Sequence, residues 1–213
     1  MTVTLRTTST RDALVAEVRR RILSGELRPG EPLTEASLAS TFGVARPTVR
    51  SALQVLVSRH LVTQSDGRSL TVPTLTEADV RDLFLVRTPL ELAAVRLIVH
   101  NGLSLDGAER WLAEMAALPD AADWADLVEK HTGFHIALID AAGSPRLSRI
   151  YPALQEEMQL CLAQLEASYP EPHALVAEHR DLVAAMRSGD VDRACDEMGE
   201  HLERAVRNFT ART

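Results

Sequence analysis

Apolar positions recur at helical spacing through most of the chain. Leu14, Val18 and Ile22 fall every four residues and predict a helix over residues 10–24. Ser9 or Thr10 can cap it, Asp12 sits in its first turn, and Gly25 lies just past its end. Leu27-Arg28-Pro29-Gly30 reads as a turn. Leu38, Ala39 and Phe42 mark a short second helix over 34–42, which Gly43 breaks. Val49, Leu53, Leu56 and Val57 give the inward face of a third helix over 47–60. Two short β-prone runs follow, 61–64 and 69–72, around Ser65-Asp66-Gly67-Arg68. Asp-Gly between such runs signals a hairpin.

Beyond a linker at Pro73-Thr74-Leu75-Thr76, the helical period never lapses for long. Six segments are predicted: 77–100, 104–118, 124–142, 147–168, 172–188 and 191–212. Gly, Pro and Asn punctuate them, and their apolar spacing suits a bundle around one core. The expected fold is therefore mainly α. An N-terminal winged helix-turn-helix with a small β-hairpin wing occupies 1–75, of which 1–9 is a loose arm. An all-α helical bundle occupies 76–213.

Composition changes this picture in one respect. The 213 residues are 46% hydrophobic and 25% charged, which excludes a collagen-like or wholly disordered chain. The formal net charge of -7 argues against a nucleic-acid partner if it is spread evenly. It is not spread evenly. Residues 1–75 hold ten arginines and six acidic residues, net +4, and the remainder carries net -11. A basic head on an acidic body is compatible with DNA at one end. Cys161 and Cys195 make no disulfide framework, no apolar run is long enough to span a membrane, and the first residues lack a signal-peptide core. A cytoplasmic protein with no membrane partner is expected.

In a helix-turn-helix the second helix of the motif enters the major groove by its N-terminus. Here Arg46, Thr48 and Arg50 cluster at the start of the third helix. An arginine fork suits the O6/N7 edge of guanine, and threonine suits a phosphate or a thymine methyl. Gly67 and Arg68 form the expected wing tip, where an arginine can reach phosphate or a narrow minor groove. The alternative for each arginine is solvated charge. That alternative is weak for the ordered set and strong for Arg19, Arg20 and Arg21.

In the body, His131 and His135 stand four apart and share one helix face, while His179 and His201 belong to two later helices. Imidazoles converging from three helices can hold Zn²⁺ or Ni²⁺. The competing reading leaves each as a surface or satisfied core histidine. Trp111 and Trp124 read as core, Cys161 and Cys195 as small buried hydrophobes, and His60, His100 and His173 as surface. Glu197, one turn before His201, is a candidate partner for it.

The order Pro29-Gly30…Leu33…Glu35…Leu38-Ala39…Gly43-Val44-Ala45-Arg46-Pro47-Thr48-Val49-Arg50-Ser51-Ala52-Leu53…Leu56…Leu61-Val62…Gly67 resembles the winged helix-turn-helix of the GntR family of bacterial transcriptional regulators. Ala45 stands where that family usually has a serine cap, Pro47-Thr48 reverses its usual order, and Ala36 and Ser37 fall where relatives often carry a DNA-contacting arginine. The body is similar to the all-helical ligand-binding domain of the FadR subfamily in its FCD form. Leu85-Val86-Arg87…Leu90-Glu91…Ala93-Ala94 resembles its first helix, and Phe134-His135, Glu178-His179 and His201 match its later motifs. The resemblance implies metal ligation by His135, His179 and His201. His131 occupies the family's aspartate position, and as imidazole can replace carboxylate it is expected as a fourth ligand. That set favours Zn or Ni over Mn. In such proteins a small carboxylate completes the metal sphere. Arg87 can pair that carboxylate, or else its i+4 neighbour Glu91.

The leading expectation is a homodimeric, metabolite-responsive regulator, not an enzyme. It would repress from a palindromic double-stranded operator and be released by a small carboxylate. A metal-dependent helical-bundle hydrolase or oxygenase is the alternative, and a purely structural metal a third reading.

Overall fold

The computed structural model describes residues 9–64, 69–119, 122–165 and 172–210. The chain divides into two compact units, Met1–Thr74 and Leu75–Thr213.

The first unit holds α1 (Thr10–Leu23), α2 (Glu35–Phe42), α3 (Arg46–Ser58) and two short strands, β1 (Thr63–Gln64) and β2 (Leu70–Thr71). Ser9 caps α1 by accepting from the Asp12 amide, and Thr34 caps α2 by accepting from that of Ser37. Ala45 offers α3 no side-chain cap, as its missing hydroxyl leads one to expect. Pro47 in the first turn removes an amide that would have lacked a helical partner in any case. Gly43 takes φ 63° and ends α2 in the left-handed region, turning the chain into α3. Leu14, Val18 and Ile22 are buried with Val49, Ala52, Leu53 and Leu56, so α1 and α3 close a small core. Ala39, Phe42 and Val57, expected inside, are only half-buried.

The end of α3 and the start of β1 differ from expectation for local reasons. α3 stops at Ser58, because His60 leaves the helix at φ 58°. Leu61 and Val62 are buried in the turn after α3, so β1 is two residues long. Antiparallel β1 and β2 pair Thr63 with Thr71 and Gln64 with Leu70. The Pro29-Gly30 turn delivers a third segment to this pair: Gly30 donates to the Val72 carbonyl at 2.8 Å and Leu33 to that of Leu70 at 2.7 Å. The predicted wing tip, with Gly67 and Arg68, lies outside the described residues.

The second unit contains α4 (Glu77–Asn101), α5 (Asp106–Ala116), α6 (Trp124–Ala141), α7 (Pro145–Leu165), α8 (Pro172–Arg187) and α9 (Val191–Thr210). A capping box between Thr76 and Asp79 starts α4, and Gly102 ends it at φ 59°. α4 lies against α6, α7, α8 and α9, while α5 is covered by α6 and α8. Phe134, Leu138, Met158, Cys161, Met198 and Leu202 are among the side chains of one continuous core. Cys161 is buried and Cys195 half-buried, both as free thiols. α5 starts at Asp106 and not at 104, because the Ser104 hydroxyl accepts from the Asp106 amide and so lies outside the helix.

Gly133 fixes how α6 meets α5. A Cβ there would stand 2.4 Å from the Trp111 ring, so the indole lies against bare backbone. Trp111 is half-buried, with the Lys130 ammonium 5.2 Å from its ring centroid. Trp124 donates its indole N–H to the Leu162 carbonyl at 2.9 Å.

Gly133→Ala is expected to destabilise the bundle by about 1–3 kcal/mol through overpacking. The check is urea unfolding followed by tryptophan fluorescence; an unchanged midpoint would show that Trp111 yields freely.

Candidate functional site

His131 and His135 project from α6, His179 from α8 and His201 from α9, and all four are buried. Their ligand atoms lie within 4.8 Å of one another. The Nε2 of His135 is 3.2 Å from the Nε2 of His131 and 3.2 Å from that of His179. A tetrahedral ion with Zn–N bonds of about 2.0–2.1 Å sets its nitrogens roughly 3.3 Å apart.

The outer nitrogens decide what those short separations mean. His135 Nδ1 is 2.8 Å from Glu91 Oε2, His179 Nδ1 is 2.7 Å from the Leu175 carbonyl, and His201 Nδ1 is 3.0 Å from Glu178 Oε2. Each partner is an acceptor only, so each Nδ1 carries the proton and donates it. Three Nε2 lone pairs are thereby aimed inward. Those of His135 and His179 face each other at 3.2 Å and repel unless a cation lies between them. This donor set fits a divalent ion, and the same tautomers are those that metal-bound histidines require. His131 Nδ1 is buried without a partner, so no outer acceptor fixes its tautomer, and its Nε2 faces that of His135 at 3.2 Å.

Burial is the first cause of low basicity at all four. His131 and His135 are pushed well below the usual histidine range, with neighbouring imidazoles and Arg87 adding to the effect. His179 and His201 fall to about 3, burial acting first, then His201 on the former and Arg87 on the latter. Neutral imidazoles remain available as ligands well into mild acid.

Behind His135 stands a buried polar network. Glu91, fully enclosed, accepts from Arg87 Nε and the Tyr151 hydroxyl on Oε1, and from His135 on Oε2. Gln155 donates to the Tyr151 oxygen at 2.7 Å. Burial, then Glu91, keeps the Tyr151 hydroxyl protonated far above its ordinary range. Burial works against the charge on Arg87, but Glu91 and Tyr151 outweigh it, so the guanidinium stays charged. Of the two partners open to Arg87 in the sequence, the structure shows Glu91. Even so, Arg87 Nη2 and Gln155 Oε1 are buried without hydrogen bonds, a free donor and a free acceptor on this network.

The partner of His201 is a correction. Glu197 bonds Arg204 at 3.5 Å, and it is Glu178 that reaches His201. Spacing along α9 pointed to Glu197, but α8 and α9 pack so that Glu178 crosses between them. The links from Glu91 to His135 and Tyr151 join α4, α6 and α7, and no sequence spacing signals them. His60 and His100 are exposed; the side chain of His173 lies outside the described residues.

In the first unit, Arg46 and Arg50 are exposed on α3 and Thr48 is half-buried. Arg50 is not free: Glu35 on α2 accepts from its Nε at 2.6 Å and its Nη2 at 2.9 Å. Arg20 and Arg21 pair with Glu17 and Glu26, as solvated charge would.

Residues 10–72 match the bacterial regulatory proteins of the gntR family, and residues 82–204 match the FCD domain. The chain belongs to the GntR family, in its FCD-containing branch. It is 30% identical over 209 residues to the uncharacterised HTH-type transcriptional regulator BphR of Paraburkholderia xenovorans, covering 92% of this chain and 83% of that one. It is 26% identical over 200 residues to the HTH-type transcriptional repressor GlaR of Escherichia coli, covering 87% and 89%. A GntR transcriptional regulator from Rhodococcus sp. RHA1 shares the fold, with a TM-score of 0.85 at 23% identity over 97% of this chain and all of that one. The protein is therefore a GntR-family transcriptional regulator and not an enzyme; regulators of this family bind DNA operators. No helix among the described residues is long and apolar enough to cross a membrane.

The buried histidines give this regulator a pH signature. Unfolded imidazoles take up protons below about 6.5 while the native ones do not, so stability is full above that pH and falls below it. Each such group adds a slope of about 1.4 kcal/mol per pH unit until the folded pKa is reached. For chelator-treated protein, the urea midpoint is expected to drop steadily from pH 7 to pH 5. A flat profile over that interval would mean that the four rings are solvated.

Proposed function

We propose that the protein is a metabolite-released repressor whose sensing centre is a divalent metal held by His131, His135, His179 and His201. The reading rests on one observation above the others: three histidine tautomers are fixed so that their Nε2 lone pairs converge in a buried space. Zn or Ni suits four imidazoles. Bound there, such an ion supplies a positive anchor for a carboxylate oxygen.

The chain's own groups do the rest. Glu91 holds the His135 ring in register and passes its constraint to Tyr151 and Arg87. The spare Arg87 Nη2 is a donor placed to meet an anionic ligand that enters this network. In the basic head, Arg46, Thr48 and Arg50 are the candidates to enter the major groove, and Arg68, beside Gly67 at the wing tip expected from the sequence, the candidate to reach a phosphate or a narrow minor groove. Two chains paired as a homodimer place two heads on a palindromic operator, which multiplies half-site affinity through effective concentration. A carboxylate bound in the body alters the relation of the two heads and weakens simultaneous engagement. Repression is the sign supported by the relative GlaR, a named repressor. The acidic body disfavours DNA everywhere but at the heads, and a regulator that works on DNA operators would act in the cytoplasm.

A purely structural ion has one observation in its favour, since four imidazoles already fill a tetrahedral site. Thermal shifts with a panel of carboxylic acids, with and without chelator, separate the two readings. Metal-dependent stabilisation by a carboxylate supports sensing.

Purified protein is expected to carry about one equivalent of Zn or Ni by elemental analysis. His135→Ala should lose it, and Glu91→Gln should retain it with roughly 10–100-fold weaker affinity in chelator competition. No metal after reconstitution would end the proposal. On a duplex from the protein's own upstream region, Arg46→Ala should weaken binding by about 5–150-fold in a shift assay. Equal binding would remove Arg46 as a reader.

A further inference from the structure

The ion pair between Glu35 and Arg50 joins the two helices of the DNA-reading motif. Glu35 is the first residue of α2, and the cap from Thr34 to the Ser37 amide fixes that turn and so the carboxylate. Arg50 lies one turn into α3 on the exposed side. The contact is two-pronged, through Nε at 2.6 Å and Nη2 at 2.9 Å. A guanidinium has five N–H donors, and this grip uses two of them. Both hydrogens on Nη1 and one on Nη2 are not used in that grip, and one from each nitrogen forms the end-on edge of the fork. Two donors side by side on that edge match the spacing of a guanine O6/N7 pair.

We infer that Glu35 is a specificity-determining positioning residue, which holds Arg50 so that its free edge reads a guanine instead of settling on a phosphate. The inference rests on the reading of Arg50 as a DNA contact. Three physical effects support it. A clamped arginine has less rotamer freedom to lose on binding than a free one. A fixed carboxylate at the mouth of the motif repels nearby phosphate, so Arg50 gains selectivity at the expense of non-specific attraction. And α2 itself presents only Ala36 and Ser37 beside Glu35, with no cation of its own, so base reading in this motif falls on Arg46 and Arg50.

The test is selection from a randomised duplex pool with the full-length wild type, Glu35→Gln, Glu35→Ala and Arg50→Ala. Affinity for one fixed non-specific duplex and the melting temperature of each variant are measured alongside. The wild type is expected to enrich a site with a fixed guanine that Arg50→Ala no longer selects. Glu35→Gln and Glu35→Ala, melting like the wild type, should bind the non-specific duplex as well as it does or better. Both should lose about tenfold in preference for that guanine. If Arg50→Ala loses the guanine but both Glu35 variants keep the full preference, Glu35 has no positioning role and the inference fails alone. If the Glu35 variants gain specific and non-specific affinity together, Glu35 is a competitor for Arg50 and the inference is overturned. If Arg50→Ala leaves the selected site unchanged, the reading of Arg50 falls and the inference falls with it.

Discussion

Inside the helical body the constraint that organises the rest is the fixing of imidazole protons. Glu91, the Leu175 carbonyl and Glu178 each accept a hydrogen bond from an Nδ1. Once those three protons are committed outward, the inner nitrogens can only be lone-pair donors. The bundle must then bring electron-rich atoms together in a place where water cannot separate them. Such an arrangement disfavours the folded state of the bare chain, and a cation held there would add to folding free energy.

Several features follow from that constraint. Glu91 is buried at no exposure, which is costly for a carboxylate unless its oxygens are occupied, and here Arg87, Tyr151 and His135 occupy them. The network therefore locks the ring of His135 and compensates a buried arginine in the same stroke. Gly133 lies between His131 and His135 in α6, and its missing side chain lets Trp111 seat α5 against the helix that carries two of the four rings. Packing and polar satisfaction serve the same site.

The head works under an opposite rule. Its cations lie at the surface, where Arg20, Arg21 and Arg50 are held by carboxylates in solvent-exposed ion pairs. α3 lacks a side-chain cap and carries its first basic residue at its own first position. Glu35 supplies what order there is at Arg50. The net charge of -7 thus hides two units with different electrostatic tasks.

Much was legible without coordinates. Helical periodicity, the left-handed Gly43 and the Gly102 break placed the helices to within a few residues, because local propensity and capping act through near neighbours. The four histidines were legible as candidates, since two share a face at i,i+4 and motif resemblance tied in the others. What sequence could not supply was everything set by contacts between distant segments. Whether Arg87 was held by Glu91 or left for a ligand carboxylate, whether Glu178 or Glu197 held His201, and whether Arg50 was free all depended on how helices lie against one another. Side-chain partners across a helix interface are chosen by crossing geometry at the scale of a single ångström, and no spacing along the chain encodes it. The residues that could bind a metal were written in the sequence; the direction in which each nitrogen points was decided by the tertiary fold.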